Sequence, residues 1–163
     1  MPIESLVGVI ADGDRILLDT TVLIAFLDAG DATHPVADSL LTELVASGRN
    51  PGVVSMVSVM ELLVRPMRAT PRGHHTILGF LRSFPNLVCV PVELEIAQEA
   101  AHLRASLRFG TPDALIVGTG LATQVHHLVT NDRDWVSKLA PMRERIGVVL
   151  ASDYLPLHPS ERA

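Results

Sequence analysis

A single cysteine, Cys89, stands in 163 residues, which excludes a disulfide framework and a thiolate zinc site. Lysine is as scarce. Twelve of the thirteen basic residues are arginine, so any chemistry needing a lysine has one candidate, Lys138. The aromatics are Phe26, Phe80, Phe84, Phe109, Trp135 and Tyr154, and no pattern among them suggests a base-stacking platform. No run approaches 18 uncharged apolar residues, so a membrane span is not expected. The opening MPIESLVGVIADGD has an early Glu and no basic start, unlike a secretory leader; a cytoplasmic protein is expected. The formal charge of −5 argues against a broadly basic nucleic-acid surface. It leaves room for acids gathered where cations are held on a phosphate ester.

What the chain does have is apolar residues, 48% of the total, enough for one well-buried core. Short runs rich in Val and Leu recur: RILLD (15–19), GVVS (52–55), NLVCV (86–90), HHLVT (126–130) and IGVVL (146–150). Such runs suit strands buried on both faces of a parallel sheet. Between them lie helical patterns. Residues 33–48 open on a Thr cap and line up Val36, Ala37, Leu40, Leu41, Leu44 and Val45. Residues 93–108 space Ile96, Ala100, Leu103 and Leu107 at helical intervals, and TPDALIVGTGLAT (111–123) opens with Thr as cap and Pro in the first turn. The alternation predicts an α/β sandwich around a mainly parallel sheet, as one domain over 1–163. Its core spans about 15–150, with a short helix within 3–12 and an irregular tail over 154–163.

In such sheets the ligand crevice lies beyond the carboxyl ends of the strands. Asp19 ends the first run; Glu61 follows the second by six residues; Asp113 sits in the first turn of a helix; Asp132 directly follows HHLVT. Each has a plainer role: Asp19 and Asp132 as caps, Glu61 as a residue near a helix start, Asp113 as a first-turn acid favoured by the helix dipole. Together they place four carboxylates from four segments at one end of the sheet, where leaving all ionised requires a cation. Oxygen-only ligation suits Mg²⁺ or Mn²⁺, and such ions activate water and steady the leaving oxygen of a phosphodiester.

The segments LLDTTVLIAFLD, SMVSVMELLVRP, TPDALIVGTGLA and LVTNDRDW come in the order and spacing of the PIN-domain ribonucleases. The chain resembles that family, and within it the VapC-type toxins of type II toxin–antitoxin pairs, over roughly residues 15 to 150. The resemblance implies a three-layer α/β/α fold and a Mg²⁺- or Mn²⁺-dependent endoribonuclease. It places Asp19, Glu61, Asp113 and Asp132 as the metal-binding and catalytic acids, with Thr20, Thr130, Asn131 and Asp134 in supporting positions. It also implies an RNA substrate, a homodimer and a cognate antitoxin. A catalytically silent PIN-like module binding RNA or protein is the alternative. An acid-pocket phosphoryl-transfer domain fits less well, because Thr21 stands where a haloacid-dehalogenase-like phosphatase needs a second Asp, and Lys138 falls in a predicted helix rather than after a late strand.

Arg65, Arg68 and Arg72, with His74 and His75, form the densest basic stretch and are candidate phosphate contacts; Arg104 and Arg108 are a second pair. Arg133 is read as balancing Asp132. His126 and His127 are adjacent, so strand alternation would turn them to opposite faces, unable to share a metal. Cys89 is expected to be a buried strand residue, and Trp135 to pack the last helix on the sheet.

Overall fold

A computed structural model describes residues 2–156. Five parallel strands, β1 (Ile16–Leu18), β2 (Gly52–Ser55), β3 (Leu87–Val90), β4 (His127–Thr130) and β5 (Gly147–Leu150), pair in the order β3-β2-β1-β4-β5. Each expected run is present, trimmed by at most one residue at either end. The helices are α1 (Pro2–Val9), α2 (Thr20–Leu27), α3 (His34–Ser39), α4 (Met56–Ala69), α5 (His74–Ser83), α6 (Leu94–Leu107), α7 (Thr111–Ala122) and α8 (Asp134–Lys138).

Alternate strand residues serve two separate cores, which is why the strands read as continuous apolar runs. Ile16, Leu18, Val54, Val129 and Val149 meet α1, α2, α3 and Leu81 of α5 on one face. Leu17, Val53 and Leu128 meet α6, α7 and Trp135 of α8 on the other. The result is three layers, α/β/α. Phe26, Phe80 and Phe84 form a cluster of tilted and edge-to-face rings that ties α5 to α2. Helices α6 and α7 touch at Gly118, where a Cβ would stand 3.0 Å from the Ile96 carbonyl oxygen and 3.1 Å from the Ala100 nitrogen.

Several local expectations are corrected. The helix over 33–48 changes pitch: after α3 it continues as a π-helical segment, Leu40–Ala46, which still buries Leu40, Leu41, Leu44 and Val45. Thr33 holds the cap position of α3, but its hydroxyl donates to Asp31 Oδ1 rather than capping. Gly110, not Thr111, caps α7, and Thr111 is its first helical residue. Cys89 is half-buried rather than buried, because β3 is an edge strand, and that burial pushes its thiol pKa up. Of the expected tail over 154–163, Tyr154 ends a 3₁₀ turn that begins at Ala151, and 157–163 lie outside the described residues. Among the described residues no helix is long and apolar enough to cross a membrane.

The connection that matters for the site runs outward from β1 through β2 to β3, then returns to place β4 on the other side of β1. Strand order therefore reverses between β1 and β4, and an open α/β sheet offers its crevice at the carboxyl edge of such a point.

Candidate active site

Asp19 and Asp132 flank that reversal. The register pairs Leu18 with Val129, so the next residues, Asp19 and Thr130, stand side by side. Thr130 Oγ1 donates to Asp19 Oδ2 at 2.8 Å, and Thr21 Oγ1 donates to the same oxygen at 2.8 Å. Asp19 Oδ1 accepts the Thr20 N–H at 2.7 Å, so Asp19 also caps α2. The cap reading and the site reading are compatible, because one oxygen serves each. Only 3% of Asp19 is exposed. Burial raises its pKa above the usual carboxylate range, against the pull of the bonds from Thr21, Thr130 and the Thr20 and Thr21 backbone.

Glu61 reaches the same edge from α4. It lies in the second turn of that helix rather than near its start, because Ser55 caps α4 by accepting the Val57 N–H. The Ser55 and Thr119 hydroxyls, both fully buried, are hydrogen-bonded at 3.1 Å and so link α4 to α7. Thr20 Oγ1 donates to Glu61 Oε2 at 2.5 Å. Its hydroxyl therefore steadies the second acid, while its backbone serves the first.

Asp113 projects from the first turn of α7. Partial burial raises its pKa, and the negative charges of Asp132 and Glu61 raise it further. Trp135 and Lys138 pull the other way. The Trp135 indole nitrogen is buried with no partner at hydrogen-bond distance, yet it lies near enough to favour the Asp113 carboxylate. Lys138 sits over the Phe109 ring, 5.3 Å from its centroid. Asp132 accepts the Asp134 N–H on Oδ1 at 3.0 Å, and its own N–H donates to Thr130 Oγ1 at 2.9 Å.

The structure thus brings Asp113 within electrostatic reach of Glu61 and Asp132, and Thr20 and Thr130 into contact with acids. Asp134 supplies a backbone N–H rather than its carboxyl. Asn131 does not bond an acid: its N–H donates to Thr21 Oγ1 and its Nδ2 to Thr33 Oγ1. Arg133 pairs with Asp153 at 3.0 Å rather than with Asp132. Arg65 lines a small cavity with Glu61, while Arg68 and Arg72 lie farther along, exposed. Thr21 is the residue sequence reasoning missed; the signal was the doubled Thr after Asp19.

The donor chemistry suits a hard divalent cation, all oxygen and crowded with like charge. Among the described residues no three His, Cys, Asp or Glu side chains are drawn together tightly enough to clasp an ion as placed. A cavity of about 510 Å³ lies at the opposite edge of the sheet, lined in part by Asp14, His126, His127 and Arg145. There both histidines turn to one carboxylate, His127 Nε2 at 2.8 Å and His126 Nε2 at 3.9 Å from Asp14. The expected opposition fails because β4 starts at His127, and His126, ahead of it, accepts the Arg15 N–H on Nδ1.

The PIN domain family model matches residues 16–140. No curated protein sequence matches the chain. The fold is similar to that of VapBC2 from Rickettsia felis bound to a DNA fragment from their promoter, with TM-score 0.63 and 18% identity over 83% of this chain and 97% of that one. FitAcB from Neisseria gonorrhoeae gives TM-score 0.63 and 17% identity over 84% and 98%. The Mycobacterium tuberculosis sarcin-ricin loop cleaving toxin VapC20 gives 0.59 and 19% over 75% and 93%.

Proposed function

Because the chain belongs to the PIN-domain family, its residues 16–140 matching that model, we propose that it is a metal-dependent endoribonuclease, the toxin of a toxin–antitoxin pair. The observation that carries this reading is that Asp113 lies within electrostatic reach of Asp132 and Glu61, beside the β1/β4 reversal where Asp19 is bonded to Thr130. The VapBC likeness, taken with the family resemblance, supports a cognate protein antitoxin as partner, and the likeness to VapC20, a sarcin-ricin loop cleaving toxin, supports RNA as substrate. Action in the cytoplasm follows from that substrate.

Asp19, Glu61, Asp113 and Asp132 would hold Mg²⁺ or Mn²⁺, which when bound supplies positive charge against the scissile phosphate. The chain's own residues do the rest. Thr130 and Thr21 fix Asp19 Oδ2, and Thr20 fixes Glu61 Oε2, so neither acid loses rotamer freedom when substrate arrives. Asp113, from the first turn of α7, completes the acid set opposite Glu61 and Asp132. Arg65, beside Glu61, is placed to meet a phosphate, with Arg68 and Arg72 continuing the basic track. A homodimer is part of the reading, supported by Met56, Met60, Val64 and Met67, which lie exposed along one side of α4.

The test is cleavage of mixed RNA by the purified protein with Mg²⁺, Mn²⁺ or EDTA, beside Asp113→Asn. Metal-dependent cleavage that drops about 100-fold or more in the variant is the expected result. Equal cleavage by both proteins would remove Asp113 from the mechanism. The silent-module alternative rests on the open spacing of the acids; it predicts RNA binding without cleavage under every metal.

A further inference from the structure

Next to the acids lies a separate pocket of about 380 Å³, lined by Thr21, Ile24, Asp31, Thr33, Asn131 and Ser152. It shares a wall with the acid site, since Thr21 Oγ1 donates to Asp19 and accepts the Asn131 N–H. Its polar groups are biased toward acceptors. Asn131 Nδ2 donates to Thr33 Oγ1 at 2.9 Å. Thr33 donates through both its N–H and its hydroxyl to Asp31 Oδ1, each at 2.7 Å. Neither bond uses Asp31 Oδ2. Asn131 Oδ1 is buried with no hydrogen-bond partner among the described residues, a state that favours a donor arriving with a ligand. Ile24, 43% exposed, gives the pocket an apolar wall.

A planar ligand matching this set has an apolar face and two neighbouring N–H donors. Of the four RNA bases, guanine alone presents two adjacent donors, N1–H and the N2 amino group, on its Watson–Crick edge. Adenine and cytosine set a ring-nitrogen acceptor beside their amino group, and uracil flanks its one N–H with carbonyls. We propose that this pocket binds a guanine base of the substrate strand beside the scissile phosphate, Asp31 Oδ2 accepting from N1–H and Asn131 Oδ1 from the N2 amino group. Ser152 lines the same pocket and carries a hydroxyl, the kind of donor that guanine O6 would accept from. The substrate strand rests on the ribonuclease reading above; the affinity of the pocket for guanine does not.

The test titrates the four nucleoside 5′-monophosphates separately into the full chain in EDTA and follows the Asn131 side-chain amide and the Asp31–Thr33 backbone by NMR. Asp31→Asn is run in parallel; its Oδ1 still serves Thr33, but it offers an amide donor where guanine needs an acceptor. Saturable shifts in the pocket with guanosine monophosphate, about 10-fold or more weaker with the other three, and an advantage lost in the variant, are the expected result. Equal binding of all four, shifts confined to other regions, or no saturable shift with any of them overturns the proposal. A second arm maps cuts in an RNA containing every dinucleotide: guanine enriched beside the cut in the wild type and not in Asp31→Asn supports it, and an unbiased wild-type pattern overturns it. RNA left whole by the wild type in Mg²⁺ and Mn²⁺ counts against the nuclease reading alone, because the nucleotide titration decides the pocket without cleavage.

Discussion

At the scale of single residues, Asp19 and Asp113 at the carboxyl edge of the sheet work against folding as carboxylates. Asp113 is raised by burial and by two neighbouring negative charges. A carboxyl whose pKa is higher folded than unfolded contributes stability only below its unfolded value, and that contribution is lost as pH rises through the folded one. Metal-free Asp113→Asn is therefore expected to be more stable than wild type at pH 7. Because the site is partly open, the gain is about 1 kcal/mol or less, a Tm rise of about 2–4 °C at most. It should vanish below about pH 4, where the wild-type carboxyl is protonated in both states. Melting curves in EDTA across pH check it, and a variant that melts lower than wild type at pH 7 would refute it. Adding Mg²⁺ should raise the wild-type Tm and leave the variant nearly unmoved.

At the scale of elements, α4 has three assignments. Its cap, Ser55, is buried and bonded both to Val57 N–H and to Thr119. Ser55→Ala removes the cap and the bond from Thr119, whose hydroxyl keeps the Leu115 carbonyl as acceptor, and should cost about 1 kcal/mol, read as a lower urea midpoint with an unchanged slope. Glu61 looks toward the acids, and the Met56–Met67 side is exposed at intervals of four, four and three residues. Replacing Met60 and Met67 together by Glu should shift a homodimer to monomer in sedimentation while leaving the fold intact. Where α6 meets α7, Gly118→Val would drive side-chain atoms into the Ile96 and Ala100 backbone, costing about 1–3 kcal/mol.

The five strands were all legible in the sequence, because buried parallel strands leave unmistakable runs such as GVVS and IGVVL; α5, which begins at His74 where the sequence suggests a loop, was not. The π-helical stretch after Ser39 was not, since its apolar spacing also satisfies an ordinary helix. That the four acids stand toward the carboxyl edge of the sheet was legible from their positions relative to the runs; their role is part of the proposed function. Their supports were half legible: Thr20 and Thr130 stood out by adjacency, but that Thr20 serves Glu61, 41 residues away, is a fact of packing. Asp31, Thr33 and the orphaned Asn131 Oδ1 meet only through the return of β4 beside β1, which no local pattern encodes.

Across the whole molecule, the two edges of the sheet carry opposite electrostatics. At the amino edge burial alone would raise the pKa of Asp14. The bond from His127, the Ala11 N–H and the charges of His126 and His127 outweigh it and hold the carboxyl below its usual range. Glu99 is likewise held low, first by its hydrogen bond to Arg145. A depressed carboxyl contributes stability above its unfolded pKa and loses it as pH falls through the folded one. Asp14→Asn should therefore lower Tm at neutral pH, with the difference shrinking as the solution is acidified below about pH 4. That is the reverse of Asp113→Asn, and both series run on one instrument would show the two edges separately.

The β1/β4 pairing has a consequence in time as well as in space. Asp19 is made 111 residues before its neighbour Thr130 and still longer before the acid at 132. Pairings between such distant parts of a chain form late. A growing chain on the ribosome therefore carries Asp19 long before the pairing that completes its surroundings, and the acid edge closes only as β4 arrives beside β1.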